Sequence, residues 1–475
     1  MSTQLEVKNY TEGPIFMPLV KFTGLIMSTM IIQMLYGAAD MLIVGRYSTP
    51  DNVSAVSTGS QLMMALTMVI AELSMGTTVV LGQRIGGGDR DRCGKIIGAA
   101  LFFFLLLAAV LTVVMLACAP AASRLLNAPP EAFEGTVSYI RICSAGLIFI
   151  TLYSVQGGIL RGLGDAKMPL VAVSIAGTAN IAGDLLLVCG LDMGAEGAAW
   201  ATVASQALSV LITTFIIRRK GLPFPFERSM IRYSRSLTAG ILRIGAPLAI
   251  HDFLVGVSFL IILGIVNRFG VTASAGMGIA EKIIGFIMLC PSSFSQSTAT
   301  FVAQNFGAGR ISRARTVLRL AIGISFCCSC VIGCLSFIGG MQLSSIFSPD
   351  LQICKASSDY LRAYAIDCLL TSFLFCYIGF LNGCGRTGFV LLQGVIGAFA
   401  LRVPLSVLFS MIEPGSLFTI ALAAPCTTVI QNIICHFYLR SPGQHRQDGI
   451  GSQTMVPVNC TAGTDPVQYK YLKRS

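Results

Sequence analysis

The sequence predicts an all-α integral membrane protein with twelve transmembrane helices in two pseudo-symmetric six-helix bundles. Long apolar segments are the first observation behind this prediction, and an internal repeat is the second. Of the 475 residues, 54% are hydrophobic and only 12% are charged, with a mean hydropathy of +0.76, whereas soluble domains carry about 25% charged residues. Segments 96–120, 197–217 and 320–347 contain no charged residue. Each segment is long enough to supply the roughly 20 apolar residues that a spanning helix needs.

Twelve apolar runs separated by polar connections define the predicted spans. They lie near residues 15–43, 53–81, 96–119, 136–160, 168–190, 196–217, 238–266, 274–303, 316–340, 358–381, 389–411 and 416–439. Lys and Arg are concentrated in the two termini and in the connections after even-numbered spans. Because cytoplasmic loops carry the excess of basic residues, both termini are predicted to be cytoplasmic.

The predicted spans divide the chain into two lobes. Residues 1–217 form an N-lobe with spans one to six, and residues 238–440 form a C-lobe with spans seven to twelve. A connection rich in Arg and Pro at 218–237 is predicted to be a cytoplasmic linker between them. The polar segment 441–475 lacks helical periodicity and is predicted to be a disordered cytoplasmic tail.

Glycine-containing segments recur in the two halves at a constant separation, which indicates duplication. Gln83 precedes Gln304 by 221 residues (304 − 83 = 221), and four glycine pairs share that offset. These pairs are Gly86 and Gly307, Gly88 and Gly309, Gly162 and Gly383, and Gly164 and Gly385. Two bundles inserted in the same direction are typical of transporters whose halves rock about a central site. Neither glycine segment continues into Gly-Lys-Ser/Thr, so we expect helix ends and tight turns there and no ATP binding.

Two acidic residues inside the predicted spans form the candidate coupling site. Asp40 lies in the first span and Asp184 in the fifth, where an acid costs about 2.5–3.5 kcal/mol to insert. Tyr36 precedes Asp40 by four residues, and Asn180 precedes Asp184 by four, so each pair lies on one helix face. Thr202 on the sixth span is a further candidate. If the first and fifth spans are neighbours, these polar groups converge.

Burial and a like-charged neighbour both disfavour ionisation, so one of the two acids is expected to hold a proton near neutral pH. A cation can replace that proton. The oxygens of Asp40, Asp184 and Asn180 suit Na⁺ as well as H⁺, and the sequence does not choose between the two ions. No cofactor beyond a coupling ion is expected.

A second polar cluster is a weaker hypothesis for the C-lobe. Asp252, Asp367, Glu281 and Lys282 all fall within its predicted spans, but nothing local fixes their relative orientation. Glu72 in the second span is interpreted as a polar contact between helices in preference to a coupling residue.

Several segments together resemble the multidrug and toxic compound extrusion (MATE) transporters, in particular a bacterial, DinF-like branch, over about residues 14–440. They read QMLYGAADMLIVGRY, LRGLGDAKMPL, NIAGDLLLV, GAEGAAWATVASQ and AQNFGAGR. The resemblance implies two six-helix lobes around a central cavity and export of organic cations or drugs in exchange for Na⁺ or H⁺.

The resemblance also bears on individual residues. Asp40, Asp184, Tyr36, Asn180 and Thr202 match the N-lobe cation site of the DinF-like branch. The NorM-like branch instead has a C-lobe site with acids on its seventh and tenth helices. Asp252 and Asp367 are residues of the right type for that site, although Asp367 lies about one turn early relative to the LNGCG segment.

The preferred hypothesis is a cation-coupled multidrug antiporter without enzymatic activity, in the inner (plasma) membrane of a bacterium. Its expected partners are membrane lipid and small organic cations or drugs, with Gln33 as a candidate substrate-facing residue. Nucleic acid and ATP are not expected as partners, and the protein is expected to be a monomer. Ion binding is expected to repack the first helix near Gly37.

Two alternatives remain. A flippase for a lipid-linked oligosaccharide would need a basic pocket, whereas the basic residues in the predicted spans are few and mostly near span ends. Those considered are Lys21, Arg141, Lys282, Arg362 and Arg402. An intramembrane enzyme could use paired Asp residues, but the sequence shows no assembled nucleophile and has only three His residues.

Overall fold

The computed structural model describes residues 7–441, and all regular secondary structure in that range is helical. Eleven helices are long and apolar enough to cross a membrane, and one bent helix pair brings the number of spans to twelve. This confirms the predicted fold class. Residues 442–475 lie outside the described residues, so the prediction of a disordered tail stays a prediction.

The helices α1 to α15 supply the twelve spans, with α4 and α5, α12 and α13, and α14 and α15 each sharing one span. Their bounds are Phe16–Tyr47, Pro50–Gly86, Arg90–Leu125, Phe133–Ala145, Leu147–Gly162, Lys167–Asp184, Gly194–Lys220, Arg235–Val266, Val271–Gly307, Ile311–Ser345, Leu351–Gly383, Thr387–Val395, Val403–Ile412, Leu417–Ala421 and Ala423–Arg440.

Several helices extend well beyond the predicted spans. The helix α2 has 37 residues, although its apolar run was predicted at 53–81. Hydropathy marks only the part of a helix that suits the hydrocarbon core, and polar residues continue the same helix outside it. The fourth span bends by 50° between α4 and α5. At that bend Gly146 lies so close to Val203 that an added Cβ would be 2.5 Å from its side chain.

The fifth span of each lobe contains a π-helical segment. In the N-lobe, Leu185–Gly190 follows α6 directly, so Asp184 is the last residue before the change of helix type. In the C-lobe, Ile396–Arg402 separates α12 from α13. Since π-helical segments often occur at functional sites, the positions of Asp184 and Arg402 at their boundaries direct attention to these two residues.

The helix α1 packs against both lobes. Leu19 and Phe22, in its first half, belong to a buried apolar cluster with Phe294 and Phe301 of α9. Its second half belongs to the N-lobe, where Ile43 and its neighbours join a separate cluster built from the N-lobe helices. The first predicted span therefore connects the two lobes.

Glutamines at equivalent positions exchange hydrogen bonds between the lobes where α2 and α9 end. Gln83 Nε2 donates to the Gly383 carbonyl at 2.9 Å, and Gln304 Nε2 donates to the Gly162 carbonyl at 3.3 Å. Both donors and both acceptors are repeat partners from the sequence. We call this end of the molecule the closed end.

The glycines of the repeat allow the backbones to meet at the closed end. A Cβ added to Gly86 would lie 1.8 Å from the Gln304 carbonyl oxygen, and one on Gly307 would lie 1.9 Å from the Gln83 carbonyl oxygen. The turns that follow have left-handed backbone at Gly88 (φ +77°) and at its partner Gly309 (φ +71°). The predicted helix ends and tight turns are therefore present.

Residues 8–13 lie across the closed end and contact both lobes. The Tyr10 ring stacks on Phe301, with 3.9 Å between ring centroids. Its hydroxyl donates to the Gly164 carbonyl at 2.8 Å, and its backbone N–H donates to Gln304 Oε1 at 2.9 Å. Burial raises the pKa of the Tyr10 hydroxyl, so this group remains a hydrogen-bond donor. Arg313 Nη2 donates to the Gly13 carbonyl at 2.8 Å.

The connection between the lobes covers part of α3. It extends from residue 221 to 234 and includes a short helical turn at Arg228–Met230. A Cβ added to Gly94 would lie 2.2 Å from the Pro225 carbonyl oxygen, and one on Gly98 would lie 2.1 Å from the Met230 carbonyl oxygen. The connection is therefore packed onto the N-lobe.

The close approach at the closed end predicts that a single methyl group is enough to disturb it. Gly86→Ala and Gly307→Ala should each lower the melting temperature of the purified protein, because relief of such overpacking typically costs about 1–3 kcal/mol. Gly240→Ala on α8 is the matched control, since an added Cβ there meets no atom within 4 Å. Wild-type melting of both closed-end variants in detergent, measured by scanning fluorimetry, would contradict this packing.

Candidate functional site

A central cavity of about 870 Å³ lies between the lobes. Its walls come from both lobes and combine apolar side chains with acids and two arginines. The cavity reaches from Arg161 and Asn382, near the closed end, to Ser60 and Met64 in the first half of α2. Met64 is 60% exposed. The cavity therefore has exposed side chains on the side away from the closed end.

The two acids of the predicted coupling site meet at one side of this cavity. Asp40 of α1 and Asp184 of α6 face each other within hydrogen-bonding distance. Asp40 is 7% exposed and borders the cavity, whereas Asp184 is fully buried behind it. The structure thus brings together the two carboxylates that the sequence singled out.

The acid pair has few donors around it. Asp40 Oδ1 and both Asp184 carboxylate oxygens are buried without a hydrogen-bond donor in the described part of the chain. Both polar atoms of the Asn180 amide are also buried without a partner. Two carboxylates this close repel each other unless a proton is shared or a cation lies between them. The buried oxygens therefore have the chemistry that a proton or a small cation requires.

The other predicted residues of this site also lie at the cavity wall. Tyr36, Asn180 and Thr202 line the cavity together with Asp40. Tyr36 accepts a hydrogen bond from Gln206 Nε2 at 3.5 Å, and its ring contacts the Gly177 position on α6. The Tyr36 side chain therefore extends from α1, which carries Asp40, to α6, which carries Asp184.

Gln33 lines the cavity one turn before Tyr36. Its Nε2 donates to the Tyr153 hydroxyl on α5 at 3.1 Å. The structure is consistent with a substrate-facing position, although this amide also joins two N-lobe helices.

Sequence reasoning missed two side chains beside the acid pair. Tyr139 and Cys143 on α4 line the cavity and interact electrostatically with Asp40. Tyr139 also interacts electrostatically with Asp184. They lie one helical turn apart, so they share a face. That spacing was visible in the sequence, but the fourth span was treated as a plain apolar helix.

The predicted C-lobe cluster is only partly assembled. Asp252 and Asp367 both line the cavity, but Glu281 and Lys282 are not among its lining residues. On α9, Glu281 lies about two turns before Met288, the first residue of that helix to reach the cavity. Lys282 is exposed. Glu281 acts electrostatically on Tyr360 and Tyr364, as Asp367 does, so the four-residue cluster stays a prediction in which neither α9 member lines the cavity.

The two remaining C-lobe acids have different surroundings. Asp252 pairs with the neighbouring His251, whose Nδ1 lies 2.7 Å from its Oδ1. Asp367 is 1% exposed, and Arg402 is close enough to interact with it electrostatically. Since a positive guanidinium opposes the binding of a second cation, the C-lobe is less suited to a coupling ion than the N-lobe.

Two cavity arginines change the expected charge of the cavity. Arg161 lies just beyond the predicted fourth span 136–160, but it is part of α5, lines the cavity and interacts electrostatically with Glu72. Arg402 lies within the eleventh span, as the predicted span 389–411 implied, and it lines the cavity. The 221-residue offset of the repeat pairs Arg161 with Asn382. Both residues line the cavity.

Within residues 7–441, no group of three or more His, Cys, Asp or Glu side chains is arranged to hold a metal ion.

Comparison with known proteins supports the duplicated architecture. A family model described as MatE matches residues 26–186 and 247–408. The two matched segments begin 221 residues apart (247 − 26 = 221), which is the offset of the glycine repeat.

Curated relatives are similar along most of their length. The chain is 25% identical over 433 residues to "Probable multidrug resistance protein YoeA" of Bacillus subtilis, covering 88% of this chain and 92% of that protein. It is 26% identical over 397 residues to "Probable multidrug resistance protein NorM" of Thermotoga maritima, covering 82% and 84%.

Solved structures share the fold. One is described as the outward-facing conformation of a multidrug resistance MATE family transporter of the MOP superfamily, with a TM-score of 0.87, 21% identity and coverage of 95% of this chain and 100% of that one. A MATE crystal structure in complex with MaD3S has a TM-score of 0.86, 22% identity and coverage of 94% and 99%. Because the MatE model matches more than half of the chain, with one match in each lobe, the chain belongs to the MATE family of multi-pass multidrug efflux transporters.

Proposed function

We propose that this protein is a secondary antiporter that exports organic cations or drugs in exchange for inward Na⁺ or H⁺. The observation that carries the proposal is the contact between Asp40 and Asp184, buried beside the central cavity. The curated relatives named as multidrug resistance proteins support the substrate class. No ATP-driven step and no catalytic residue is part of the proposal.

The coupling ion acts on the acid pair. With a proton or Na⁺ bound, Asp40 and Asp184 can stay in contact, because the positive charge offsets their repulsion. When the ion leaves, the carboxylates repel each other and α1 shifts relative to α6. Gly37, one residue after Tyr36, has open space around it, so α1 can repack there at low steric cost.

The movement of the lobes delivers the substrate. Coupling requires that ion and drug favour different conformations. Contacts at the closed end, such as Gln83 to Gly383 and Gln304 to Gly162, would have to break for the cavity to open there. Equivalent residues on both lobes make them, which supports a rocking motion about a pseudo-twofold axis.

The orientation follows from the distribution of basic residues. The closed end carries basic residues in the turns after α2 and α9 and in the helix ends beside them, namely Arg84, Arg90, Arg310 and Arg313. By the positive-inside rule this end faces the cytoplasm of a bacterial cell, with the protein in the plasma membrane. The conformation described here is then closed to the cytoplasm. The protein is proposed to act as a monomer in contact with lipid.

Neutral variants of the acid pair test the proposed coupling. Asp40→Asn and Asp184→Asn should each reduce gradient-driven efflux of a cationic dye from proteoliposomes by about tenfold or more. Asp51→Asn, at an exposed position in the first turn of α2, is the matched control and should keep wild-type efflux. Full efflux by both site variants under Na⁺ and H⁺ gradients would refute an ion site at this pair.

Asn180→Ala distinguishes the two ions. If Na⁺ is the coupling ion, loss of the amide oxygen should raise the Na⁺ concentration for half-maximal efflux roughly tenfold or more, because contacts to charged groups contribute about 1.5–3 kcal/mol. Proton-driven efflux needs only the carboxylates and should be little changed. An unaltered Na⁺ response, measured in parallel Na⁺ and pH gradients, would remove Asn180 from the ion site.

Flipping of a lipid-linked oligosaccharide is the second candidate, because Arg161 and Arg402 both line the cavity and could contact a phosphate. The two functions separate in vesicles. An antiporter moves dye along an ion gradient, whereas a flippase equilibrates a labelled lipid-linked sugar between leaflets without one.

A further inference from the structure

The guanidinium of Arg402 is the less satisfied of the two guanidinium groups in the cavity wall. Its Nε and Nη1 atoms are buried and have no hydrogen-bond partner. Within residues 7–441 this guanidinium forms no ion pair, and it lies over the Phe259 ring, whose centroid is 4.9 Å from Cζ. An arginine carries five N–H donors, so most of its binding capacity is unused.

The backbone and neighbouring side chains fix Arg402 at the cavity. It ends the π-helical segment Ile396–Arg402, and Phe259 on α8 supports one face of its guanidinium plane. Asp367 and Tyr364 contribute to its electrostatic surroundings, and all four side chains line the cavity. The ring therefore supports one face of a flat guanidinium whose buried in-plane donors Nε and Nη1 have no partner in the protein.

We propose that Arg402 is an anion subsite of the central cavity, which binds the carboxylate, sulfonate or phosphate group of an amphiphilic ligand. A planar oxyanion matches the fork of N–H donors on arginine. The apolar cavity wall, including Met64 and Met68 of the N-lobe, accepts the hydrocarbon or aromatic body. The subsite rests on the proposed function, because it defines a ligand class for the same transport cavity beyond organic cations.

Arg161 provides an internal comparison. It lines the same cavity, lacks an ion pair within the described chain and interacts with the acid Glu72, as Arg402 does with Asp367, but no aromatic ring of residues 7–441 supports its guanidinium. If anions respond only to the overall positive charge of the cavity, neutralising either arginine should have the same effect. If Arg402 is a specific subsite, its neutralisation should have the larger effect.

Two dyes with the same ring system and opposite charge test the proposal by binding alone. Fluorescein carries a carboxylate, whereas rhodamine 6G is a cation with an esterified carboxyl group. In detergent-purified full-length protein, fluorescence anisotropy should give a fluorescein Kd that rises about tenfold or more in Arg402→Gln. The rhodamine 6G Kd should change little. Arg402→Lys keeps the charge but not the fork, so it should give an intermediate fluorescein Kd.

Controls separate loss of the subsite from loss of the fold. Arg243→Gln, at an exposed α8 position outside the cavity, should bind both dyes like the wild type. Arg161→Gln should weaken fluorescein binding less than Arg402→Gln does. Dye binding is compared only for variants whose melting temperature equals that of the wild type. If Arg402→Gln does not fold, Arg402→Lys and Phe259→Leu test the proposal in its place, since both should weaken fluorescein binding.

Competition distinguishes a free organic acid from a lipid headgroup. Dihexanoyl phosphatidylglycerol should displace fluorescein, and dihexanoyl phosphatidylcholine should not, if anionic headgroups occupy the subsite. Failure of both lipids, with Arg402-dependent fluorescein binding, assigns the subsite to free organic acids. The proposal is overturned if fluorescein does not bind to the wild type, or if Arg402→Gln and Arg161→Gln weaken it equally. Gradient-driven efflux of rhodamine 6G would then still support the antiporter.

Discussion

The repulsion between two carboxylates in a low-dielectric environment is the constraint on which the rest of this structure depends. Asp40 and Asp184 lie within hydrogen-bonding distance, and the chain gives their buried oxygens no donors. In water such a pair would separate at little cost, but packed helices hold these two together. On the proposed function, the pair persists only with a proton or a cation bound to it. The packing of α1 on α6 would then depend on an ion, which a purely structural hydrogen bond would not bring about.

At the closed end, residues related by the internal repeat make equivalent contacts between the lobes. Gln83 and Gln304 occupy the same position in their lobes, and each donates to a glycine carbonyl of the opposite lobe. Gly86 and Gly307 permit the approach because any side chain would overlap the facing carbonyl. A pseudo-twofold contact of this kind forms and breaks as a unit, since displacement of one lobe lengthens both hydrogen bonds. Residues 8–13 add contacts that break the symmetry, because Tyr10 has no counterpart from the C-lobe in this interface.

The sequence was sufficient for the spans, the duplication and the residues of the acid pair, and insufficient for the cavity. Hydropathy identifies which part of a helix lies in the hydrocarbon core of the membrane. Spacing by four residues places Tyr36 with Asp40, and Asn180 with Asp184, on shared helix faces. Neither signal gives the rotation of one helix relative to another, which decides that Asp252 reaches the cavity while Lys282 does not. Arg161 was missed because helices extend beyond their apolar runs. The packing of α1 on the C-lobe depends on contacts between residues far apart in the sequence, such as Phe22 and Phe301.

The proposed ion site lies within one lobe, whereas the ligand cavity lies between the two lobes. Any coupling between them therefore requires a helix that contacts both lobes. The acid pair belongs entirely to the N-lobe, on α1 and α6, whereas the cavity takes walls from both lobes. An ion that acted only within one lobe could not change the relation between the two. The helix α1 removes this difficulty, because Asp40 lies in its second half while Leu19 and Phe22, in its first half, pack against α9. A shift of α1 at the acid pair therefore alters a buried contact with the C-lobe. In the proposed antiport, coupling by this route would need no continuous chain of polar residues between the sites, since one helix with two packing partners would carry the change in free energy from the ion to the cavity.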